Sequence, residues 1–206
     1  MKKSILTIMI LGMIISAEAQ LSFGAKAGIS FVNQKRTEKK GYSTYDTKGR
    51  TGFHIGVFAD KQIWNNIYVQ PAVIFSKKGA THTSSYSGSV TDVSMNYIDL
   101  PLNVVYKYPV SFGKLVGGMG PVLSYAVSGK LEQSGKTKKM FSDELKNWKR
   151  GDISGNIMAG VELNNGFMAS ISYQSGLTDI YKDEIPTIKN RQFSISVGYM
   201  IAQRAK

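Results

Sequence analysis

The chain contains no cysteine. That excludes disulfide frameworks, a lipid-modified cysteine anchor, thiolate metal sites and cysteine nucleophiles together. Only two histidines are present, His54 and His82. They form no ligand spacing with each other or with the scattered carboxylates, so no metal site and no cofactor is expected. Acids are scarce too, with 14 Asp and Glu against 26 Lys and Arg and a formal charge of +12. After Gln20 no long apolar run occurs, which excludes a helical membrane protein, because a spanning helix needs about 20 apolar residues.

What is present begins with Lys2 and Lys3, an apolar stretch from Ile5 to Ile15, and Ala17-Glu18-Ala19 before Gln20. This is the three-part layout of a secretory signal peptide. Cleavage is expected between Ala19 and Gln20, giving a signal at residues 1–19 and one domain at residues 20–206. A permanent N-terminal anchor is the competing reading; the short apolar stretch and the small-residue cleavage site argue against it. Loss of Lys2, Lys3 and Glu18 lowers the charge to +11. An exported chain rarely meets nucleic acid, so the positive charge is not read as a nucleic-acid footprint.

From Leu21 to Phe31 every odd position is apolar and every even one small or polar. That is the period of a strand with two different faces, and it returns in Phe193 to Ile201. Six further strands are expected near Gly52–Lys61, Ile67–Lys77, Tyr97–Tyr108, Leu115–Ser128, Asp152–Leu163 and Phe167–Leu177. Strict alternation would smear apolar residues around a helix, so the helical alternative fits none of them. The expected fold is all-β: an antiparallel up-and-down transmembrane β-barrel of about eight strands.

The connections alternate between long and short. Residues 33–50, 79–96 and 129–151 are long links, whereas 62–66, 109–114 and 164–166 are short. In an up-and-down barrel this places the long loops at one end and the tight turns at the other, as in outer-membrane barrels. Two long links carry the excess charge: Lys35, Arg36, Lys39, Lys40, Lys48 and Arg50 in the first, and Lys136, Lys138 and Lys139 with Lys146, Lys149 and Arg150 in the third. Lysines and arginines so clustered are candidate contacts for the phosphates of lipopolysaccharide, through Coulomb attraction and charge-assisted hydrogen bonds. A protein partner at these loops is the other reading, and its identity stays open.

Alternation alone does not say which face points outward, since a soluble lipocalin-like cup keeps the same period with its apolar residues inside. The polar face decides it. It is largely Gly and Ser, as in Ser22, Gly24, Gly28 and Ser30, in Gly118, Gly120, Ser124 and Ser128, and in Ser194, Ser196 and Gly198. Small groups suit a narrow eight-stranded lumen, whereas a water-facing surface calls for Lys, Glu, Asp and Thr. The charges on this face, Lys26, Asp60, Asp99, Lys107, Asp152 and Glu162, are mixed in sign, and at least one ion pair between them is expected. Aromatics such as Phe23, Phe31, Phe53, Phe75, Tyr106, Tyr125, Phe167, Tyr173, Phe193 and Tyr199 fall on the opposite face, as an interfacial girdle would.

The order of several motifs resembles the PorT-like outer-membrane β-barrel family of Bacteroidetes-type bacteria. They are Phe23-Gly24-Ala25-Lys26-Ala27-Gly28, Gly52-Phe53-His54-Ile55-Gly56, Tyr97-Ile98-Asp99-Leu100-Pro101-Leu102, Gly118-Met119-Gly120-Pro121, Asp152-Ile153-Ser154-Gly155, Gly176-Leu177-Thr178-Asp179-Ile180 and Phe193 to Tyr199. The resemblance implies an outer-membrane location and a barrel fold, and for the name-giving relatives a part in secretion.

For chemistry the sequence offers little. His54 falls on the polar face and reads as a hydrogen-bonded lumen residue. His82 lies beside Thr83, Ser84 and Ser85, but a hydrolase needs nucleophile, base and orienting group in mutual reach. Gly117-Gly118-Met119-Gly120 lies within a strand, without the helix and lysine of a phosphate loop. A non-enzymatic surface or envelope-assembly protein is therefore expected. Porin-like transport is the alternative, although eight strands leave no water-filled channel.

Overall fold

A computed structural model describes residues 21–37, 45–46, 48–83, 90–133, 135–142, 148–180 and 187–201, and their regular structure is built of strands. In chain order these are β1 (Leu21–Thr37), β2 (Tyr45–Asp46), β3 (Lys48–Trp64), β4 (Ile67–Thr83), β5 (Val90–Val110), β6 (Gly113–Gln133), β7 (Lys136–Lys139), β8 (Gly151–Leu163), β9 (Phe167–Gly176) and β10 (Thr187–Ile201). The long strands pair antiparallel in sequence order, and β10 returns to β1 from Phe23↔Ile201 to Thr37↔Thr187. The result is a closed ring of eight strands, with β2 and β7 as short additions on β1 and β6. Closure pairs the backbone groups that lipid cannot satisfy.

The period of two becomes two faces. On β5, Leu100, Leu102, Val104 and Tyr106 are 46–51% exposed on the outside, while Pro101, Asn103, Val105 and Lys107 between them are buried inside. Similar outward rows run along β1 (Phe23, Ile29, Phe31), β3 (Phe53, Ile55, Val57) and β10 (Phe193, Ile195, Val197). No soluble monomer presents an apolar wall of this extent to water. The lipocalin-like reading needs the apolar face inside, and this arrangement overturns it. From Ile98 to Tyr108 the belt rises ten residue steps of about 3.3 Å, which at a tilt of about 40° spans about 25 Å, the height of a membrane barrel's apolar band.

Aromatic side chains brace neighbouring strands across the outer wall: Phe31 stacks on Phe193 at 6.4 Å, Phe53 meets Phe75 at 6.0 Å, and Phe167 meets Tyr199 edge-on at 5.2 Å. At one end of the barrel the links are tight. Asn65 takes φ 40° between β3 and β4, and Gly166 takes φ 89° between β8 and β9, a left-handed conformation that favours glycine. The amide of Asn164 donates to the Ser111 carbonyl at 3.1 Å, joining two of these turns.

The opposite end differs from the expectation. The strands run on past the predicted boundaries, so the links at residues 33–50, 79–96 and 129–151 are shorter than expected. Lys35 and Arg36 therefore belong to β1, Lys48 and Arg50 to β3, and Lys136, Lys138 and Lys139 to β7. Beyond the lipid both faces of a strand can be polar, so hydrogen-bonded backbone continues where the apolar alternation has stopped. On β6 a register shift opposite Asn96 and Tyr97 places Ser128 outside and Gly129 inside. Ser128 is thus not a lumen residue, because the bulge inverts the alternation beyond it.

Candidate functional site

The lumen is filled at three levels. Near the turn end Lys107 lies between two acids, with its Nζ 2.7 Å from Asp60 and 2.6 Å from Glu162. That ammonium sits 4.7 Å from the centroid of the Tyr68 ring. Gln70 donates to the second Asp60 oxygen at 3.2 Å, and Lys114 reaches Glu162 from the rim at 3.4 Å. The ion pair expected from the polar face is here. Buried charges persist only when paired and hydrogen-bonded, and each of these three has both.

Midway, Lys78 meets Asp99 at 2.8 Å under the Tyr97 ring, and Ser76 donates to the other Asp99 oxygen at 2.6 Å. Lys78 is 2% exposed; sequence reasoning placed it just past the end of a strand and missed it. Asp152 accepts hydrogen bonds from Thr178 at 3.0 Å and Asn190 at 2.9 Å. His54 bonds through Nδ1 to Ser30 at 2.9 Å and through Nε2 to Ser196 at 2.8 Å. Both ring nitrogens are thus engaged with serine hydroxyls, which fits the lumen role read from its alternation. The ring lies against Gly28, where a Cβ would meet His54 Cε1 at 2.7 Å and the Ile195 carbonyl at 2.0 Å; only glycine lets β10 approach this closely. Around Lys26, His54, Asp99 and Asn103 a void of about 40 Å³ remains, room for a few waters.

At the loop end the filling turns apolar. Val93, Met95, Tyr97, Ala126 and Ile188 from the strands pack with Met140 and Ile180 from the links, and Leu131, Phe141 and Trp148 lean on the cluster. The links expected wholly outside the barrel thus contribute side chains to its mouth. Hydrogen bonds from Met140 N to the Gly129 carbonyl (2.9 Å) and from Lys149 N to the Ile180 carbonyl (2.9 Å) tie them down. At this level apolar side chains replace the polar filling, and among the described residues no group of His, Asp and Glu is arranged to hold a metal ion.

The basic residues are distributed around the loop end. Lys35 is opposite Lys189 of β10 and is partly buried. Lys48 is exposed, and Arg50 lies 3.4 Å from Asp92. Lys136, Lys138 and Lys139 line the β7 side of the β6–β7 hairpin, where Lys139 stands directly opposite Lys130. The structure brings Lys139 together with Lys77, Lys130 and Arg150 around one outward groove. Sequence reasoning singled out neither Lys77 nor Lys130, although Lys77 continues the outward row Val73, Phe75. Lys39, Lys40, Ala19 and Gln20, the side chain of Arg36 and that of His82, whose backbone pairs with Thr91, lie outside the described residues.

A family model described as "Outer membrane protein beta-barrel domain" matches residues 16–182. No curated protein matches the chain in sequence. Among solved structures, Neisserial surface protein A is 13% identical, with a TM-score of 0.50 over 86% of this chain and 96% of that one. Ail, the attachment invasion locus protein of Yersinia pestis, is 19% identical, with a TM-score of 0.46 over 90% of this chain and 100% of its own. OprG of Pseudomonas aeruginosa is 10% identical, with a TM-score of 0.47 over 90% and 98%. At such identities the likeness concerns the fold. Because the family match covers most of the sequence and the closed barrel carries its apolar face outward, the chain belongs to the outer membrane protein beta-barrel domain family.

Proposed function

We propose that this outer-membrane barrel is a non-enzymatic protein of the cell surface or of envelope assembly, acting through its basic loop end rather than passing solute. The observation that carries this reading is the filled lumen: paired charges at two levels and an apolar plug at the third. In this reading the signal at residues 1–19 is removed between Ala19 and Gln20, and residues 20–206 form the barrel. N-terminal sequencing of the protein from outer membranes then begins at Gln20. The short turns face the periplasm and the loop end faces outward, the usual orientation of such barrels. Lys35, Arg36, Lys39, Lys40, Lys48, Arg50, Lys136, Lys138 and Lys139 are then the candidate contacts for the phosphates of lipopolysaccharide. The order of the strand motifs supports a PorT-like branch of the family and, with it, a part in secretion or assembly.

The test against porin-like transport is electrical. Refolded into planar bilayers, the mature chain is expected to give no single-channel steps, because an ion would have to displace Lys107, Lys78 and Tyr97 in turn. Regular steps of reproducible size in the unmodified protein would transfer the reading to transport.

A further inference from the structure

We infer that the outer wall over β4–β8 holds a binding site for a phosphorylated glycolipid of the outer leaflet, with phosphate above and acyl chains below. The inference deepens the proposed surface role and rests on the loop end facing outward.

The phosphate half is the groove between Lys77, Lys130, Lys139 and Arg150, floored by Asn96 and Ser128, which hydrogen-bond to each other at 2.9 Å. None of its lining residues is acidic. Arg150 is held in place, with its guanidinium 4.3 Å from the centroid of the Phe141 ring and Nη1 donating to the Ala126 carbonyl at 3.0 Å. Lys130 and Lys139 are directly opposed across the β6–β7 pair. Like charges in that position repel, and an anion between them turns the repulsion into attraction.

The acyl half adjoins it on the lipid side. Ile98, Leu100, Leu123, Tyr125 and Ile153 line a second, largely apolar groove with Lys149 at its lip; its two carboxylates are already engaged, Asp152 by Thr178 and Asn190 and Asp179 by the Ile188 amide. The two are continuous along the chain: Ile98 leads to Asn96 on β5, Tyr125 to Val127 on β6, and Lys149 to Arg150. Phosphates at the rim with chains against the wall is the geometry of a phosphorylated lipid at the membrane boundary. A soluble polyanion or an acidic protein would leave the apolar groove unused.

The test is native mass spectrometry of the full mature chain in detergent, titrated with bis-phosphorylated lipid A, with the same lipid after dephosphorylation, and with inorganic phosphate. One lipid A is expected to bind per barrel. Dephosphorylation or the variant Lys77→Gln/Lys130→Gln/Lys139→Gln should weaken it by about tenfold, as loss of charge-assisted contacts implies. Lys35→Gln/Lys48→Gln/Arg50→Gln removes as many charges elsewhere on the rim and should weaken binding by about two- to threefold, through general attraction alone. Each variant is compared as the folded species that migrates faster on unheated gels. Equal weakening by the two variants would sink the site while leaving the broader surface role standing. No weakening by either would sink both. Inorganic phosphate binding as tightly as lipid A would overturn the acyl half.

Discussion

Lys107→Met is expected to lower the stability of the barrel by about 3–5 kcal/mol, the usual effect of removing one partner from a buried ionic network. Its ammonium is the cation between Asp60 and Glu162, at 2.7 and 2.6 Å, and only 2% of the residue is exposed. Without it the two carboxylates face each other across the lumen. Lys114 reaches Glu162 alone, at 3.4 Å and from a position 42% exposed, so its compensation is small. Gln70 offers Asp60 an amide and no charge. Urea titration in lipid vesicles, followed by the folded band on unheated gels, measures the change. Lys107→Met should unfold at clearly lower urea, and Lys107→Met/Asp60→Asn/Glu162→Gln should recover most of the loss, because the uncompensated charges are gone. A single variant as stable as the parent would mean that this network is open to water.

How much of this was legible in the sequence follows from where the barrel touches lipid. Within the belt one face must be apolar and the other must fit a narrow lumen, so Leu21–Phe31 or Ile98–Tyr106 could be assigned strand by strand and face by face. The mixed-sign lumen residues likewise pointed to the Lys107 cluster. Above the belt neither face meets hydrocarbon. Asn33–Thr37 and Ser128–Gln133 therefore show no apolar period, although they are paired strands, and in Thr91–Asn96 the apolar period of Val93 and Met95 belongs to the inward face.

The features that went unread lie in that zone. Lys78 lies just past the end of one expected strand and Tyr97 at the start of another, so neither was read as a lumen residue although the parity of each strand points it inward. The bulge on β6 inverts the faces and leaves no signature that Gly and Ser alone reveal. Met140 and Ile180 come from links whose burial depends on tertiary contacts with Met95 and Tyr97. The groove around Lys77, Lys130, Lys139 and Arg150 joins residues far apart in the chain, and only the register of β4 to β7 brings them together.

That dependence on lipid gives the second large effect. Leu102→Arg is expected to destabilise the barrel by about 2–4 kcal/mol, whereas Tyr108→Arg on the same face should cost about 0–1 kcal/mol, because a cation on the lipid face is penalised by depth. Leu102 is 49% exposed near the middle of the outward row and Tyr108 is 56% exposed at its lower edge, so area facing outward does not distinguish them. On a water-facing surface both changes would be nearly neutral. The neighbouring inward position responds with opposite chemistry. Asn103 accepts a hydrogen bond from Asn156 at 3.1 Å, so Asn103→Leu leaves that amide without its acceptor and should cost about 1–3 kcal/mol. One residue step along β5 thus separates a site that rejects a charge from one that rejects the loss of a hydrogen-bonding amide. Equal urea midpoints for Leu102→Arg and Tyr108→Arg in vesicles would mean that the belt does not lie in hydrocarbon at the height inferred from Ile98 and Tyr108.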